Sequence, residues 1–379
     1  MAPTAGEVDS RTLHASEDSH VGDVSAHTPR LVRSQHAAKL SALRGRAIAP
    51  GVRPGAVAFI GVGEVSDGIR MGVPVAGFAA LGKPAFYARS AANLDLERFD
   101  TLVFSRPQIS HTAAREIQQA RHQGKRVIVD LDDDFYAIPP DHPGYYGVGP
   151  GNPARLQALE QALALADLLV VATPALAERY RPFSRRVEII PNGWTRSNPL
   201  WERACEPRAT LNIGWAGTPT HRADVALVVR EVEAFMGQTP QAHLIIGGDP
   251  GVWHMFAELP DARRSFVPMV PFDVYPNLLA RFDVLLAPLS DNAFNHAKSD
   301  IKLLEAGVRR IPWVASPRSA YSAWGVGGLF AEAPGAWQAA LLRLAHDETL
   351  RARLGAEGRA QADQREAAQI AERWLSVLG

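Results

Sequence analysis

Val284-Leu285-Leu286-Ala287-Pro288-Leu289 and, just behind it, Phe294-Asn295-His296-Ala297-Lys298-Ser299-Asp300-Ile301-Lys302-Leu303-Leu304-Glu305-Ala306-Gly307 decide the fold. The first stretch is a short unbroken apolar run, as a strand buried on both faces requires, and the second carries capping residues and then helical spacing. A strand that feeds a helix in this way is the unit of a parallel sheet. Ser299 or Asn295 caps the helix, whose free amides and positive end favour a phosphate. Lys298, Lys302 and Glu305 fall at i, i+4 and i+7, on one helical face. Two cations beside a helix start neutralise a diphosphate, and a carboxylate one turn further accepts hydrogen bonds from a ribose diol. The competing reading is a surface helix with a Lys302 to Glu305 ion pair.

The same unit recurs on either side. Apolar, β-rich runs at Ala56 to Ile60, Thr101 to Phe104, Arg126 to Asp130, Leu168 to Ala172 and Val187 to Ile190 alternate with helical segments. A second series runs through Leu211 to Trp215, His243 to Ile246, Ser265 to Val267, Val284 to Ala287, Trp313 to Ala315 and Gly328 to Phe330. Between them, residues 191–209 are rich in turn formers and read as a linker. The expected division is a leader with a basic helical segment at 1–54, a first Rossmann-like domain at 55–190, a second at 210–355 and a closing helix at 356–379. Ala367, Ile370, Ala371, Trp374 and Leu375 recur at helical spacing in that last segment, so it must pack on something.

In open α/β sheets the ligand lies beyond the carboxyl ends of the strands, and two such domains facing each other make a cleft. Three strand ends of the second half carry the chemistry. Gly214-Trp215-Ala216-Gly217-Thr218-Pro219-Thr220-His221-Arg222-Ala223-Asp224 is a second phosphate-shaped turn, with glycine for close backbone approach, hydroxyls at Thr218 and Thr220, and Arg222 to neutralise a leaving group. Gly247-Gly248-Asp249 is a third. In the first half, Gly61-Val62-Gly63 ends a strand without the third glycine of a dinucleotide loop. Arg70 and Arg106 are candidates there for phosphate or acceptor contacts, with surface arginine as the alternative. Asp130-Leu131-Asp132-Asp133-Asp134 ends another strand, and such adjacent carboxylates seek a cation, a basic partner or sugar hydroxyls. Residues 138–146, rich in proline and tyrosine, form a loop suited to covering an acceptor.

Residues 187–330 resemble the carboxyl-terminal domain of GT-B glycosyltransferases, particularly the family-four-like group. The resemblance rests on Ile190-Pro191-Asn192-Gly193, Gly214 to Thr218, Gly247-Gly248-Asp249, Tyr275-Pro276, Phe282 to Pro288, and Lys298-Ser299 through Glu305-Ala306-Gly307 to Ser316, jointly and in order. It implies an α/β enzyme of the GT-B fold, with two Rossmann-like domains facing across a cleft and a C-terminal helix crossing back. It implies sugar transfer from a nucleotide-diphosphate sugar to a glycan, lipid-linked or other acceptor, with retention at the anomeric carbon and no obligatory metal; Mg²⁺ is allowed but not favoured. On this reading Glu305 holds the donor ribose, and Gly217, Thr218, His221, Asp249 and Ser299 line the donor site. Lys298, Lys302 and Arg222 neutralise the departing diphosphate, with Asp132 and Asp133 as further catalytic candidates, or His111 if the outcome is inversion. Gly63, Arg70, Arg106 and Asp134 face the acceptor. The family commonly carries two glutamates about two helical turns apart; Lys298 is read as standing in place of the first. A nucleotide-sugar epimerase or hydrolase of the same fold, and a non-catalytic nucleotide-sugar-binding protein, are the other readings.

Composition bounds these readings. At roughly 150 residues per domain, 379 residues make two or three domains. Forty basic and forty acidic residues cancel, which argues against nucleic-acid binding by net charge. One cysteine, Cys205, makes neither an intrachain disulfide nor a thiolate zinc site. No apolar run is long enough and free enough of charge to span a bilayer, and the acidic, non-hydrophobic leader matches no secretory signal. A cytoplasmic protein is expected, with peripheral contact to an anionic lipid surface or polyanion through the basic residues of 30–53 as an option. The elbow of serine hydrolases, the HExxH zinc motif and the Gly-Lys-Ser/Thr phosphate loop are all missing.

Overall fold

A computed structural model describes residues 55–63, 66–203 and 208–379. The leader 1–54, with the segment read as a lipid or polyanion contact, and Cys205 lie outside the described residues. Each half is built on a six-stranded, all-parallel sheet. The first contains β1 (Ala56–Ile60), β2 (Ala85–Ala88), β3 (Phe99–Ser105), β4 (Arg126–Leu131), β5 (Leu168–Val171) and β6 (Val187–Ile189) in the order β2-β1-β3-β4-β5-β6. The second contains β7 (Leu211–Gly217), β8 (Ala242–Gly248), β9 (Arg264–Pro268), β10 (Val284–Ala287), β11 (Trp313–Ala315) and β12 (Gly328–Phe330) in the order β12-β11-β10-β7-β8-β9. This is the two-domain α/β arrangement expected from the sequence.

The apolar runs inside the sheets are buried because helices cover both faces, β5 and β10 at every residue, while β6, β9 and β12 lie half-buried at the edges. One strand escaped the sequence reading. β2, Ala-Phe-Tyr-Ala, is a half-buried edge strand of only four residues, closed in by Pro84 and Arg89, and so short a run does not stand out. Both sheets wind outward from an interior strand and then resume on its other side. The reversal falls between β1 and β3 in the first sheet and between β7 and β10 in the second, and each leaves a crevice at the strands' carboxyl ends.

The closing helix completes the first core. Trp374 of the helix Ala367–Leu378 is fully buried, edge-on to Phe59 with ring centroids 5.1 Å apart. Close approach to the helix Val73–Ala80 depends on Gly77, where a Cβ would lie 1.9 Å from the Ala367 carbonyl oxygen. Gly77→Ala should therefore push the last helix outward, costing about 1–3 kcal/mol of overpacking, read as a lower denaturant midpoint with earlier exposure of tryptophan. The return starts later than position 356. The helix Glu348–Asp363 stays with the second domain because Gly358 packs its backbone on Gly307, so the crossing is made at 364–366. There it runs beside the linker: the Trp194 amide donates to Arg365 O at 3.1 Å and its indole N–H to Ala362 O at 2.8 Å. Arg196 and Arg359 lie over the Trp194 ring, 5.0 and 4.8 Å from its centroid.

Candidate functional site

The crevice of the second sheet opens toward the first domain. β7 ends in the glycine turn, and the Lys302 amine donates to the Ala216 carbonyl at 2.5 Å while lying 5.5 Å from the Trp215 ring centroid. A Cβ at Gly217 would stand 2.8 Å from the Trp215 ring and 3.3 Å from that amine, so glycine leaves room for both. Glu305, 7% exposed, sits one turn beyond Lys302 and beside Tyr275. Burial raises the Glu305 carboxyl above the usual carboxylate range and lowers the Lys302 amine below the usual lysine range, and each charge opposes the other's shift. A poised, desolvated cation and carboxylate at a sheet reversal are suited to a phosphorylated ligand.

The helix carrying them, Ile301–Val308, begins later than the sequence suggested. Neither Asn295 nor Ser299 caps it. Asn295 is buried in the separate short helix Ala293–Ala297, which Asn292 caps, and Ser299 accepts from the linker residue Asn192 at 2.8 Å. The break has a local cause: the backbone of Lys298 is extended, and Asp300 is held by Arg365 at 2.7 Å. Lys298 therefore does not share a helical face with Lys302. Its amine instead lies 4.3 Å from the Phe294 ring centroid and crosses the cleft to Asp133, 3.5 Å away. Ala297 and Lys298, the residues about two turns ahead of Glu305, both lack a carboxylate.

A buried hub bridges the reversal between β7 and β10. Asp224, 3% exposed, meets His221 Nδ1 at 2.8 Å through one oxygen and takes the Ser290 amide, the Ser290 hydroxyl and the Asn295 amide group, each at 2.8 Å, through the other. Burial works to raise the Asp224 carboxyl, but His221 and Ser290 outweigh it and hold it below the usual range. Burial and the neighbouring lysines push the His221 ring down to about 4, against the pull of Asp224. The Thr218 and Thr220 hydroxyls bond each other at 2.6 Å. Arg222 is placed otherwise than expected: its guanidinium is forked onto Asp249 at 2.6 and 2.8 Å. Asp249 in turn caps the helix Pro250–Met255, so this pair fastens the β8 turn to the β7 turn rather than opening a cation to a leaving group.

On the first domain, Asp132 and Asp133 leave the end of β4 and face these lysines. Burial raises the Asp132 carboxyl to about 6 despite Arg106, whose Nε is 3.8 Å away. Burial also works on Asp133, but Lys298 and Arg106 outweigh it and lower its carboxyl. Arg106 has a left-handed backbone (φ 41°) and donates to Ser66, across the crevice between β1 and β3. Gly63, at φ 88°, donates its amide to Asp67 at 2.5 Å.

Two acceptor-side candidates have structural duties instead. Arg70, 3% exposed, places Nε and Nη2 on Asp130 at 2.9 and 2.6 Å and Nη1 on Ile190 O and Asn192 Oδ1, tying β4 to the linker. Asp134 is buried, with its oxygens taken by Arg179 at 2.8 Å and the Tyr136 amide at 3.1 Å. His111 is exposed in the turn before the helix Ala113–His122 and joins none of these groups.

Sequence reasoning passed over three residues that seat the domains on each other. The Thr173 hydroxyl donates to Ala297 O at 2.9 Å, Asn192 reaches Ser299, and His142 of the Pro-Tyr loop stands edge-on to Phe294 with centroids 5.0 Å apart. Thr173 follows β5 as a helix cap, a local role that hid its second one. Among the described residues no group of three or more His, Cys, Asp or Glu is placed to hold a metal ion, and no helix is long and apolar enough to cross a membrane.

No protein-family model and no curated protein matches the chain. Solved structures do. A sucrose-phosphate synthase from Thermosynechococcus elongatus is 15% identical, with a TM-score of 0.61 over 85% of this chain and 98% of that one. Anabaena HepE, solved with UDP and glucose, is 13% identical, with a TM-score of 0.60 over 86% and 99%. A glycosyltransferase from Rickettsia africae is 12% identical, with a TM-score of 0.62 over 86% and 98%. At this identity the likeness is one of fold: the chain has the two-domain GT-B fold of these glycosyltransferases.

Proposed function

We propose that this protein is a glycosyltransferase that takes a sugar from a nucleotide-diphosphate donor held by the second domain and passes it to an acceptor held against the first. The observation that carries the reading is the gathering of Lys302, Glu305, Lys298 and the Gly217 turn at the reversal of the second sheet, facing Asp132 and Asp133 across the cleft. Ligands bind at such reversals in open α/β sheets, and fixed cations there stabilise charge that grows on a departing diphosphate. Anabaena HepE, of the same fold, was solved with UDP-glucose, and a further neighbour, TarM, with UDP and a glycosylated glycerol.

The lysine amines supply the positive charge that a divalent ion would otherwise bring, so turnover is expected to survive chelation by EDTA. The donor ribose is assigned to Glu305, and the acceptor, a glycan or lipid-linked sugar, to the face around Asp132, Asp133 and the loop at 138–146. Retention of configuration follows from the resemblance of the second domain to the family-four-like group. Inversion would call for a base, and Asp132, whose raised carboxyl suits that role, would be the first of the candidates Asp132, Asp133 and His111 to test.

A thermal-shift panel of nucleoside diphosphates and nucleotide sugars tests the reading, since a ligand bound at 100 times its Kd stabilises by about 2.7 kcal/mol. Glu305→Ala should weaken the stabilising nucleotide by about tenfold or more, the loss of a charge-assisted hydrogen bond, with the unliganded midpoint nearly unchanged. No stabilisation by any nucleotide, or equal affinity in the variant, would overturn the assignment. Product analysis with and without acceptor sugars separates transfer from hydrolysis or epimerisation.

A further inference from the structure

The Nε2 of His221 is an acceptor atom at the cleft. Asp224 has its second oxygen filled by three donors, stays ionised and accepts from Nδ1 at 2.8 Å. The ring proton is thereby assigned to Nδ1 and the lone pair to Nε2. No group among the described residues bonds that nitrogen. The charged groups around the ring are Asp224 in the helical turn that follows it, Lys298 and Lys302 from the segments after β10, and Asp133 from the first domain. Burial beside two cations keeps the imidazole neutral at physiological pH, so it is a weak base and a lasting acceptor.

The neighbouring carboxylates are turned to charged groups or to another part of the donor. Asp133 is paired with Lys298, Asp132 lies 3.8 Å from Arg106, and Glu305, whose charge faces that of Lys302, is assigned to the ribose. Ala297 and Lys298 offer no carboxylate of their own. A diphosphate lodged against Lys298 and Lys302 brings its sugar beside His221, and a hydroxyl desolvated there needs an acceptor.

We propose that His221 reads the donor sugar: its Nε2 accepts a hydrogen bond from a sugar hydroxyl, and Asp224 is the positioning residue that fixes the ring. The role rests on the transferase reading and adds the side of the ligand that is recognised.

The test is calorimetric titration of wild type, His221→Asn and His221→Gln with UDP, UDP-glucose, GDP and GDP-mannose. Asparagine keeps a donor for Asp224 where Nδ1 was and deletes the acceptor, whereas glutamine can carry a carbonyl oxygen to the Nε2 position. In His221→Asn the nucleotide alone should bind within about twofold of wild type, while the extra affinity conferred by the sugar falls about tenfold, the worth of one hydrogen bond. His221→Gln should restore most of it. Asp224→Asn should give the same selective loss, and the ¹⁵N resonances of the His221 ring should show protonation moving from Nδ1 toward Nε2. If His221→Asn weakens nucleotide and nucleotide sugar equally, or changes neither, the role of His221 is overturned while the transferase reading stands. If wild type binds none of the four probes, the transferase reading itself falls, and this role with it.

Discussion

Lys302→Met lowers kcat/KM for the donor by about 100- to 1,000-fold, the cost of removing one fixed group from a site where charge develops. The amine is desolvated, held by Ala216 O and aimed along the glycine turn, so no water replaces it without reorganisation. Methionine keeps the stem's volume over Trp215 and removes the charge. Most of the loss should fall in kcat if the diphosphate gains charge on leaving, and in KM if Lys302 only binds it; steady-state kinetics separates the two. The same residue sets the pH profile. Burial lowers the Lys302 amine, so its cation is lost as pH rises through a range below the usual 10.5. Burial raises Glu305, so its carboxylate is lost as pH falls through a range above the usual 4.5. The pair titrates together, and kcat/KM should follow a narrow bell. In Lys302→Met the alkaline limb should move up or vanish. Wild-type activity that stays flat to pH 10 would contradict the assignment.

Arg70→Met destabilises the fold by about 3–5 kcal/mol, the penalty for leaving one member of a buried ion pair without its partner. Asp130 is fully buried, and both of its oxygens are forked by Arg70. The substitution also strips Ile190 O and Asn192 of their donor, at the point where the linker leaves the first sheet. Denaturant unfolding measures the loss. Arg70→Met with Asp130→Leu should recover much of it, because apolar groups of similar volume tolerate the site that a lone carboxylate does not. If the single variant unfolds like wild type, the pair is not what ties β4 to the linker. The linker end also carries Asn192, which reaches Ser299, so nucleotide affinity should fall in the single variant even at temperatures where it remains folded.

What could be read from the chain was whatever is written locally. Unbroken apolar runs such as Leu168 to Val171 and Val284 to Ala287 mean strands with both faces covered, and β-rich runs marked eleven of the twelve strands, the half-buried edge strands β6, β9 and β12 among them. Gly217, Lys302 and Glu305 were legible as one candidate cluster because strand end, glycine turn and helix follow one another in sequence. β2 was not legible, since four residues are too short a run to tell a strand from the loop around it.

Partnership between distant side chains is where the chain alone ran out. Arg70 and Arg106, or Arg222 and Lys298, look alike as isolated cations, yet Arg70 is committed to Asp130 and Arg222 to Asp249, while Lys298 spans the cleft to Asp133. Likewise nothing in the order of residues says that Asp224 takes donors from Ser290 and Asn295, because they meet only when β7 and β10 lie side by side. Sequence by itself determined two parallel-sheet domains and a phosphate-shaped turn, since periodicity and turn chemistry act over a few residues. The tertiary structure decided which charges are spent on the scaffold and which are left for a ligand, because that depends on burial and on contacts between segments many residues apart.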